Sequence, residues 1–595
     1  MKISFNNLRN GLQQSLTRFP FQVLVAALAT AVGCAVVYRN FFVNEDTAFR
    51  ILEICNLVFV FSLAADLFLE KRQVSRPVRM GAAVSYVLLG ILLYYTLDFR
   101  LYEVNIFRFF ALSAAFHLMV SFGPFLSKGN YQGFWQYNKA LFLRILTAAL
   151  YSGVLYAGLA LAVWSVGELW NLHANEKIYA YLFVFISVFF NSVFFLAGIP
   201  KDFAALEKDD SYPKGLKIFA QYILIPLMAV YLVILFLYEI KILFQHTLPN
   251  GIVSWLIMDY AVFGILSLLL VYPVRDKEGN KWIRTFGKVF YIMLFPLLVL
   301  LFVAIGIRVS DYGVTEDRYA IVVVGIWLLL VAVYSLWRPS SIKFIPVTLC
   351  AFCLLAVYGP QSAPYIARHS QVAQLNEILS GKKKDSTGRA NDLLSHIVRQ
   401  YGMEALQPLT NVPLAPIENS IVSKNKDYYD TRWKMKDTMR AILKIQASYG
   451  SAATNSVKTF SVSVANEYLI SVKSYDYIIE GNHTSFSFVL GNVSYTFDDS
   501  DQKAMALRDS MGNQIVFRGD SLVGSIRQLA ENHQLEKISE RVYQVPDSLL
   551  EISKPMNGYT FTLRIPRIEN VDWQKEDYGY YYFYGTMLLV RKRNE

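Results

Sequence analysis

Long apolar stretches recur through the first 358 residues of the chain and are separated by short polar segments. Most are close to 20 residues long, which is the length that an α-helix needs to cross the hydrocarbon core of a bilayer. The pattern predicts an α-helical polytopic membrane domain, residues 19–358, with about eleven transmembrane helices. The predicted spans are 19–38, 51–69, 80–97, 106–126, 140–165, 178–200, 218–238, 252–272, 289–307, 319–337 and 344–358.

The last predicted span differs from the others, because 344–358 is shorter and has Pro346 near its start. Such a segment either crosses the bilayer as a short helix or enters and leaves on the same side. The pattern leaves both alternatives open. The side of the membrane on which all later residues lie depends on which of them is correct.

At the N-terminus, Phe5, Leu8, Leu12 and Leu16 recur at spacings of three and four residues. This period places their side chains on one face of a helix, while basic residues nearby can contact lipid headgroups. Residues 1–18 are therefore expected to form an amphipathic segment that lies in the membrane interface.

Beyond residue 358 the continuous apolar stretches give way to amphipathic and alternating patterns. Residues 359–430 are predicted to be a helical linker that also contains prolines. Residues 431–595 begin with a helical pattern and continue with alternating apolar and polar residues, separated by Gly-Asn turn pairs. This predicts a β-rich, sandwich-like extramembrane domain at the C-terminus.

Composition and charge narrow the class of protein. The chain is 54% hydrophobic and only 17% charged, whereas soluble domains have about 25% charged residues, so an ordinary soluble enzyme is excluded. The net charge of +11 is concentrated in residues 1–358, which hold 29 basic and 20 acidic residues. These basic residues lie in short loops between apolar stretches, so we expect no nucleic-acid partner.

The distribution of basic residues predicts the orientation in the membrane. With a cytoplasmic N-terminus, the inner segments hold 20 Lys and Arg in 80 residues, and the outer loops hold 7 in 56. Basic residues are enriched in cytoplasmic loops, so this orientation is favoured. An odd number of spans then places the C-terminal domain outside the cytoplasm. The first expected partner is the lipid bilayer.

Ionisable residues within or beside apolar helices are candidates for function, because their burial in lipid is unfavourable. Several are predicted to gather in an outer vestibule, and Asp259 is expected to pair there with Arg308. These residues either form a structural network of ion pairs that holds the helix ends together or form a binding site, and the sequence favours neither. The candidates are Glu239, Asp259, Arg308, Asp311, Glu316 and Arg318 in the vestibule, and His117 deeper in the fourth predicted span.

Two further features concern helix geometry and metal binding. Pro226 and Pro296 lie in the middle of predicted spans, where proline breaks a backbone hydrogen bond and frees a carbonyl. Cys350 and Cys353 match the C-x-x-C spacing but have no second ligand pair near them. We expect them to be buried apolar residues, and we expect neither a metal nor a cofactor.

Three short motifs together resemble a known family. They are Ile199-Pro200 after Ala197-Gly198, the run Gln221-Tyr222-Ile223-Leu224-Ile225-Pro226-Leu227, and Tyr312-Gly313-x-Thr315-Glu316-x-Arg318-Tyr319. On the basis of these motifs, the chain resembles the bacterial membrane proteins catalogued as domain of unknown function 4153, and the resemblance extends over residues 10–410. The resemblance implies a multi-span inner-membrane protein. It implies no activity, so no catalytic residue can be assigned.

Three functional hypotheses remain from the sequence. A transport protein would use the intramembrane acids, and an envelope-associated binding or structural protein would use the C-terminal domain to bind an envelope polymer or protein. These two are favoured. The alternative is a membrane enzyme that acts on a lipid-linked substrate, such as a glycosyltransferase, with the acidic pair Glu45 and Asp46 in its first outer loop.

Overall fold

The structure is a computed structural model that divides into two compact units, Met1–Ser448 and Tyr449–Glu595. The described residues are 13–38, 45–99, 101–170, 175–245, 252–338, 341–383, 388–424, 428–445, 459–464, 475–480, 485–498, 503–532, 535–539, 542–565, 567–572, 582–584 and 587–593.

Among these residues, ten helices of the first unit are long and apolar enough to cross a membrane. The sequence-based prediction of a polytopic helical membrane domain followed by a β-rich domain is confirmed. Residues 13–18 of the predicted interfacial segment are helical, and its earlier part lies outside the described residues. The ten helices are α1 (Pro20–Tyr38), α2 (Asp46–Lys71), α3 (Pro77–Thr96), α4 (Val104–Phe125), α5 (Tyr131–Trp170), α6 (Lys177–Ala197), α8 (Lys214–Ile242), α9 (Ser254–Val274), α10 (Lys281–Tyr312) and α11 (Glu316–Trp337), with the short α7 (Phe203–Lys208) between α6 and α8.

The eleventh apolar helix, α12 (Phe344–Val357), has only 14 residues but runs alongside α4 for most of its length. Just before α12, the Nζ of Lys343 donates to the carbonyl of Ser127, 3.0 Å away, after the end of α4. Just after α12, the ring of Tyr358 lies 5.4 Å from the guanidinium carbon of Arg108, in the first turns of α4. The two helices are therefore antiparallel.

The membrane helices pack in two groups. Buried residues such as Leu57 and Phe125 belong to the first group, which contains α1 to α6 and α12. The second group, α8 to α11, packs around Phe290, Leu301 and Leu328. Many leucine, valine and phenylalanine side chains on the outer faces of both groups are exposed, as expected for surfaces that contact lipid.

After α12 the chain forms a helical domain, residues 363–445, which we call the helical cap. Its buried core includes Leu394, Ile397 and Met439, and the cap belongs to the same compact unit as the membrane helices. The helices are α13 (Ala363–Leu379), α14 (Arg389–Tyr401), α15 (Leu414–Lys424) and α16 (Tyr428–Ile442), with a 3₁₀ segment, Glu404–Leu409, before α15.

The division between the two units therefore falls after the helical cap and later than the boundary at 430/431 that the sequence suggested. The difference has a physical reason. Helix α16 buries Met435 and Met439 in the apolar core of the cap, against α14. Its apolar face is thus part of a helix–helix interface in the first unit.

In the second unit the described strands form three sheets. One has five strands in the order β12-β11-β1-β8-β7, with β1 and β8 parallel, and two have four antiparallel strands each, β2-β13-β10-β9 and β3-β4-β5-β6. Phe497, Phe517 and Phe561 are fully buried in their common core, which also receives helix α17 (Gly519–Glu531). The strands are β1 (Thr459–Val464), β2 (Tyr477–Glu480), β3 (Ser485–Leu490), β4 (Val493–Asp498), β5 (Ala504–Asp509), β6 (Gln514–Arg518), β7 (Glu536–Ser539), β8 (Val542–Val545), β9 (Glu551–Met556), β10 (Tyr559–Arg564), β11 (Arg567–Asp572), β12 (Tyr582–Tyr584) and β13 (Met587–Lys592).

Candidate functional site

The helical cap is joined to one end of the membrane helices by charged and hydrogen-bonded side chains, which we call the polar seam. At its centre, Glu103 precedes the first turn of α4 and contacts two arginines of the cap. The Nη1 of Arg432 lies 2.6 Å from one carboxylate oxygen, and the Nε of Arg399 lies 3.1 Å from the other. The Arg432 side chain is only 14% exposed. Because a buried charge requires a partner, Glu103 stabilises the docked position of the cap.

A second contact of the polar seam is made by Glu418 of α15. The hydroxyl of Tyr102 donates to one of its carboxylate oxygens at 2.8 Å, and the backbone N–H of Glu404 donates to the other at 2.9 Å. Burial, and then the nearby Glu418 carboxylate, raise the pKa of Tyr102, so this phenol remains a donor. Gly402 approaches so closely that a Cβ would lie 2.2 Å from the Glu418 carboxylate, and its φ of +82° also favours glycine.

The third contact involves Glu316, which is buried at the start of α11. The hydroxyl of Tyr401 donates to its carboxylate, and the Nε2 of His396 lies 3.9 Å from it. Burial lowers the pKa of His396 below its usual range, so the imidazole is neutral at neutral pH and forms no ion pair with Glu316. Burial, and then Glu316, raise the pKa of Tyr401, which keeps this phenol protonated.

The turn between α10 and α11 completes the polar seam. The N–H of Val314 donates to the Oγ of Ser370 at 2.8 Å, and the Nε2 of Gln371 donates back to the carbonyl of Val314 at 2.7 Å. The hydroxyl of Tyr319 donates to the carbonyl of Gln361 at 2.5 Å. Backbone groups that would otherwise be unsatisfied at these helix ends are thus paired with the cap and the segment before it.

Two of the predicted vestibule residues, Glu316 and Asp311, take part in the polar seam, and a third, Arg318, bonds within the adjoining turn. Glu316 does so through Tyr401, and Asp311 does so through its backbone carbonyl, which accepts from Arg389 of the cap at 2.5 Å. Arg318 donates to the carbonyl of Gly313 at 2.7 Å.

The predicted pairing of Asp259 with Arg308 is wrong. No described carboxylate lies within 4.0 Å of Arg308 in an ion pair, and Asp259 is exposed on the surface of α9. Arg308 acts electrostatically on Arg318, a residue of like charge. The adjacent Tyr260 is only 1% exposed, whereas Asp259 itself is exposed.

The structure does not bring Glu239 and His117 into the polar seam. Glu239 is half-buried on α8, and its Oε2 has no hydrogen-bond partner among the described residues. His117 is exposed on α4, and its Nδ1 lies 2.7 Å from the carbonyl of Ser113 in the preceding turn. This local contact satisfies the ring without help from another helix.

Neither predicted helix-breaking proline ends its helix. Pro296 lies inside the uninterrupted α10, and Pro226 follows a π-helical turn, Phe219–Leu224, within α8. Proline removes one backbone hydrogen bond, and a π-turn is one way in which a membrane helix absorbs that loss.

At the opposite end of the membrane helices, a second polar network explains one of the sequence motifs. Arg18 forms an ion pair with Glu70 at 3.0 Å and donates to the carbonyls of Ile199 and Pro200 at 2.6 and 2.8 Å. Gly198 leaves room for Arg144, since a Cβ there would lie 1.8 Å from its Nε. These motif residues therefore hold helix ends together.

The residues predicted from the sequence do not include Glu103, Arg432, Tyr102 and Glu418. The available signal was the presence of ionisable residues just before α4 and on amphipathic helices of the cap. Within the described part of the chain, no group of three or more His, Cys, Asp or Glu residues is arranged to hold a metal ion.

The fold and the polar seam define a polytopic α-helical membrane protein with an attached helical cap and a β-rich C-terminal unit. The chain belongs to the family described as Domain of unknown function (DUF4153), whose model matches residues 23–379. The resemblance that the motifs indicated is thereby confirmed. The matched region ends with α13, so it contains the membrane helices and the first helix of the cap.

The chain is also similar to an uncharacterized protein of Pasteurella multocida (strain Pm70), with 28% identity over 318 residues. The alignment covers 53% of this chain and 52% of that protein, so the chain spans about half the length of the relative that it matches. No solved structure matches the chain.

Proposed function

We propose that this protein is a non-enzymatic, envelope-associated binding protein of a bacterial inner membrane. In this proposal the membrane helices hold the helical cap in a fixed position outside the cytoplasm, and the chain continues from the cap into a β-rich unit that binds an anionic envelope polymer. The observation that carries the proposal is the polar seam. In it, the carboxylates of Glu103, Glu316 and Glu418 each form a contact between the helical cap and the membrane helices or their loops.

The distribution of charge supports the proposed orientation. The cap contacts the loop before α4 and the turn between α10 and α11. Both belong to the predicted outer loops, which together have half the density of Lys and Arg found in the inner segments. The opposite end holds Arg18, Lys71 and Lys343. Basic residues are enriched on the cytoplasmic side, which supports the proposed position of the cap on the outer side.

The placement of the candidate residues Asp259 and His117 supports a binding role over transport. A transport path requires polar side chains that face one another across a cavity or between helices. Asp259 and His117 are instead exposed on the outer faces of α9 and α4. Of the predicted vestibule residues, Glu316 and Asp311 contact the cap and so join it to the membrane helices.

The chemistry of the β-rich unit supports an anionic ligand. Arg591, Lys592 and Arg593 are exposed at the end of β13 and line an open concavity of about 1200 Å³ beside the turn Asn557–Gly558. Three consecutive cations on an open surface attract carboxylate or phosphate groups through long-range electrostatics. Envelope glycans that carry such groups are ligands of this chemistry.

The proposal predicts that the purified full chain in detergent co-sediments with isolated cell-wall sacculi, whose peptide stems carry carboxylates. Changing Arg591→Gln and Arg593→Gln together should reduce the bound fraction about tenfold at low salt, because electrostatic attraction is lost. The matched control is Arg508→Gln with Arg518→Gln, which removes the same charge from exposed positions of β5 and β6. No sedimentation of the unaltered chain, or equal losses in both variants, would contradict the proposal.

A further inference from the structure

A separate region of the membrane domain has the features of a ligand site, at the end opposite to the helical cap. A cavity of about 410 Å³ lies where the end of α9, the start of α10, the end of α11 and the start of α12 converge. Its volume is within the range of roughly 300 to 1,000 Å³ that is typical of sites for small ligands.

The walls of this cavity combine apolar and cationic side chains. Leu268, Ile283 and Ile345 contribute apolar surface from three different helices or their ends. The cationic lining residues are Arg275, Arg284, Lys288 and Arg338, and the acidic lining residue is Asp276.

Asp276 alone does not balance the charge of the four cationic side chains that line the cavity. Asp276 accepts from the Nε of Arg284 at 2.6 Å and lies 3.4 Å from the Nε of Arg275. Within the described chain, Lys288 and Arg338 form no ion pair with a carboxylate. Two cations therefore remain available at the rim of a partly apolar cavity.

We propose that this cavity binds the phosphate-containing headgroup of an anionic phospholipid, with Lys288 and Arg338 contacting the headgroup. This inference is independent of the polymer-binding role proposed for the β-rich unit. Basic pockets between the ends of membrane helices are a recognised way of holding anionic headgroups. Val289 and Ile292 on α10, 40% and 51% exposed, provide apolar surface for acyl chains beside the cavity.

The enclosure distinguishes this site from ordinary basic residues at a membrane interface. Isolated lysines and arginines at helix ends extend into the headgroup region and do not require a cavity. Here four chain segments surround the space, and the ring of Tyr272 supports Arg275, whose guanidinium carbon lies 4.4 Å from the ring centre. Free phosphate shares the headgroup's chemistry but would leave the apolar walls without a partner.

The test uses the full chain in detergent and native mass spectrometry with added phosphatidylglycerol or phosphatidylcholine. We expect phosphatidylglycerol adducts to form preferentially and to fall about tenfold in abundance in the double variant Lys288→Gln with Arg338→Gln. The charge-matched control, Lys277→Gln with Lys281→Gln, changes exposed residues that do not line the cavity and should retain the adducts. Equal phosphatidylglycerol binding in both double variants would overturn the proposal.

A second variant keeps the test decisive if the first does not fold. Thr285→Trp narrows the exposed mouth of the cavity without removing a charge, and it should also reduce phosphatidylglycerol binding. Inorganic phosphate at millimolar concentration should not displace the lipid. Displacement by phosphate, or binding that Thr285→Trp leaves unchanged, would reject a phospholipid as the occupant.

Discussion

Replacing Glu103 with alanine should destabilise the protein by about 3 kcal/mol and loosen the helical cap. The change removes two ion pairs at once, one of them to the largely buried Arg432. Removing one partner of a buried ion pair typically costs roughly 3 to 5 kcal/mol, and Glu103, at 26% exposed, belongs at the lower end. Hydrogen exchange in α14 and α16 should become about 100-fold faster, since 1.4 kcal/mol corresponds to roughly a factor of ten.

The matched control is Glu377→Ala, which removes an exposed carboxylate from α13 that is in no ion pair with a described residue. This variant should unfold within about 0.5 kcal/mol of the unaltered protein. In a double-mutant cycle, Glu103→Ala and Arg432→Ala together should cost less than the sum of their separate effects. Additive losses, or a Glu103 variant as stable as the control, would show that the seam does not hold the cap.

Replacing Gly264 with alanine should cost about 3 kcal/mol of unfolding free energy. A Cβ at this buried position of α9 would lie 2.0 Å from Cε2 of Phe290 on α10. The Phe290 ring is fully buried between Tyr260 and Tyr291, whose ring centres are 5.5 and 5.2 Å away, so it cannot easily move. Overpacking of this kind typically costs about 1 to 3 kcal/mol, and a clash with a held ring belongs at the upper end.

Gly306→Ala provides the control, because a Cβ at this position of α10 has no neighbour within 4 Å. It should leave stability unchanged or raise it slightly, as alanine is the better helix former. Thermal unfolding in detergent measures both variants. Adding Phe290→Leu to Gly264→Ala should recover part of the lost stability. Equal stability of Gly264→Ala and Gly306→Ala would contradict the packing described for α9 and α10.

The membrane architecture could be predicted from the sequence because each helix must match the thickness of the bilayer. This constraint leaves a visible apolar stretch for every span. The direction in which a side chain faces is harder to predict. Helix α9 is apolar on nearly all sides, so no periodicity distinguishes the exposed Asp259 from the buried Tyr260 beside it.

The polar seam could be predicted only in part. Glu316 and Arg318 were visible as ionisable residues beside an apolar stretch. The partner of Glu316 was not, because Glu316 and Tyr401 are 85 positions apart, and the same holds for Tyr102 and Glu418, which are 316 positions apart. Local period and composition carry no information on such contacts.

If the cap is fixed at the outer end of the membrane helices, Lys424 lies outside the cytoplasm. Lys424 is exposed at the end of α15, and Lys208 is exposed at the end of α7, in a predicted inner segment. Each is changed to cysteine, and spheroplasts are treated with a membrane-impermeant maleimide, with the unaltered chain as the blank. We predict that Lys424→Cys is labelled in intact spheroplasts and Lys208→Cys only after permeabilisation. Labelling of Lys424→Cys only after permeabilisation would place the cap on the cytoplasmic side.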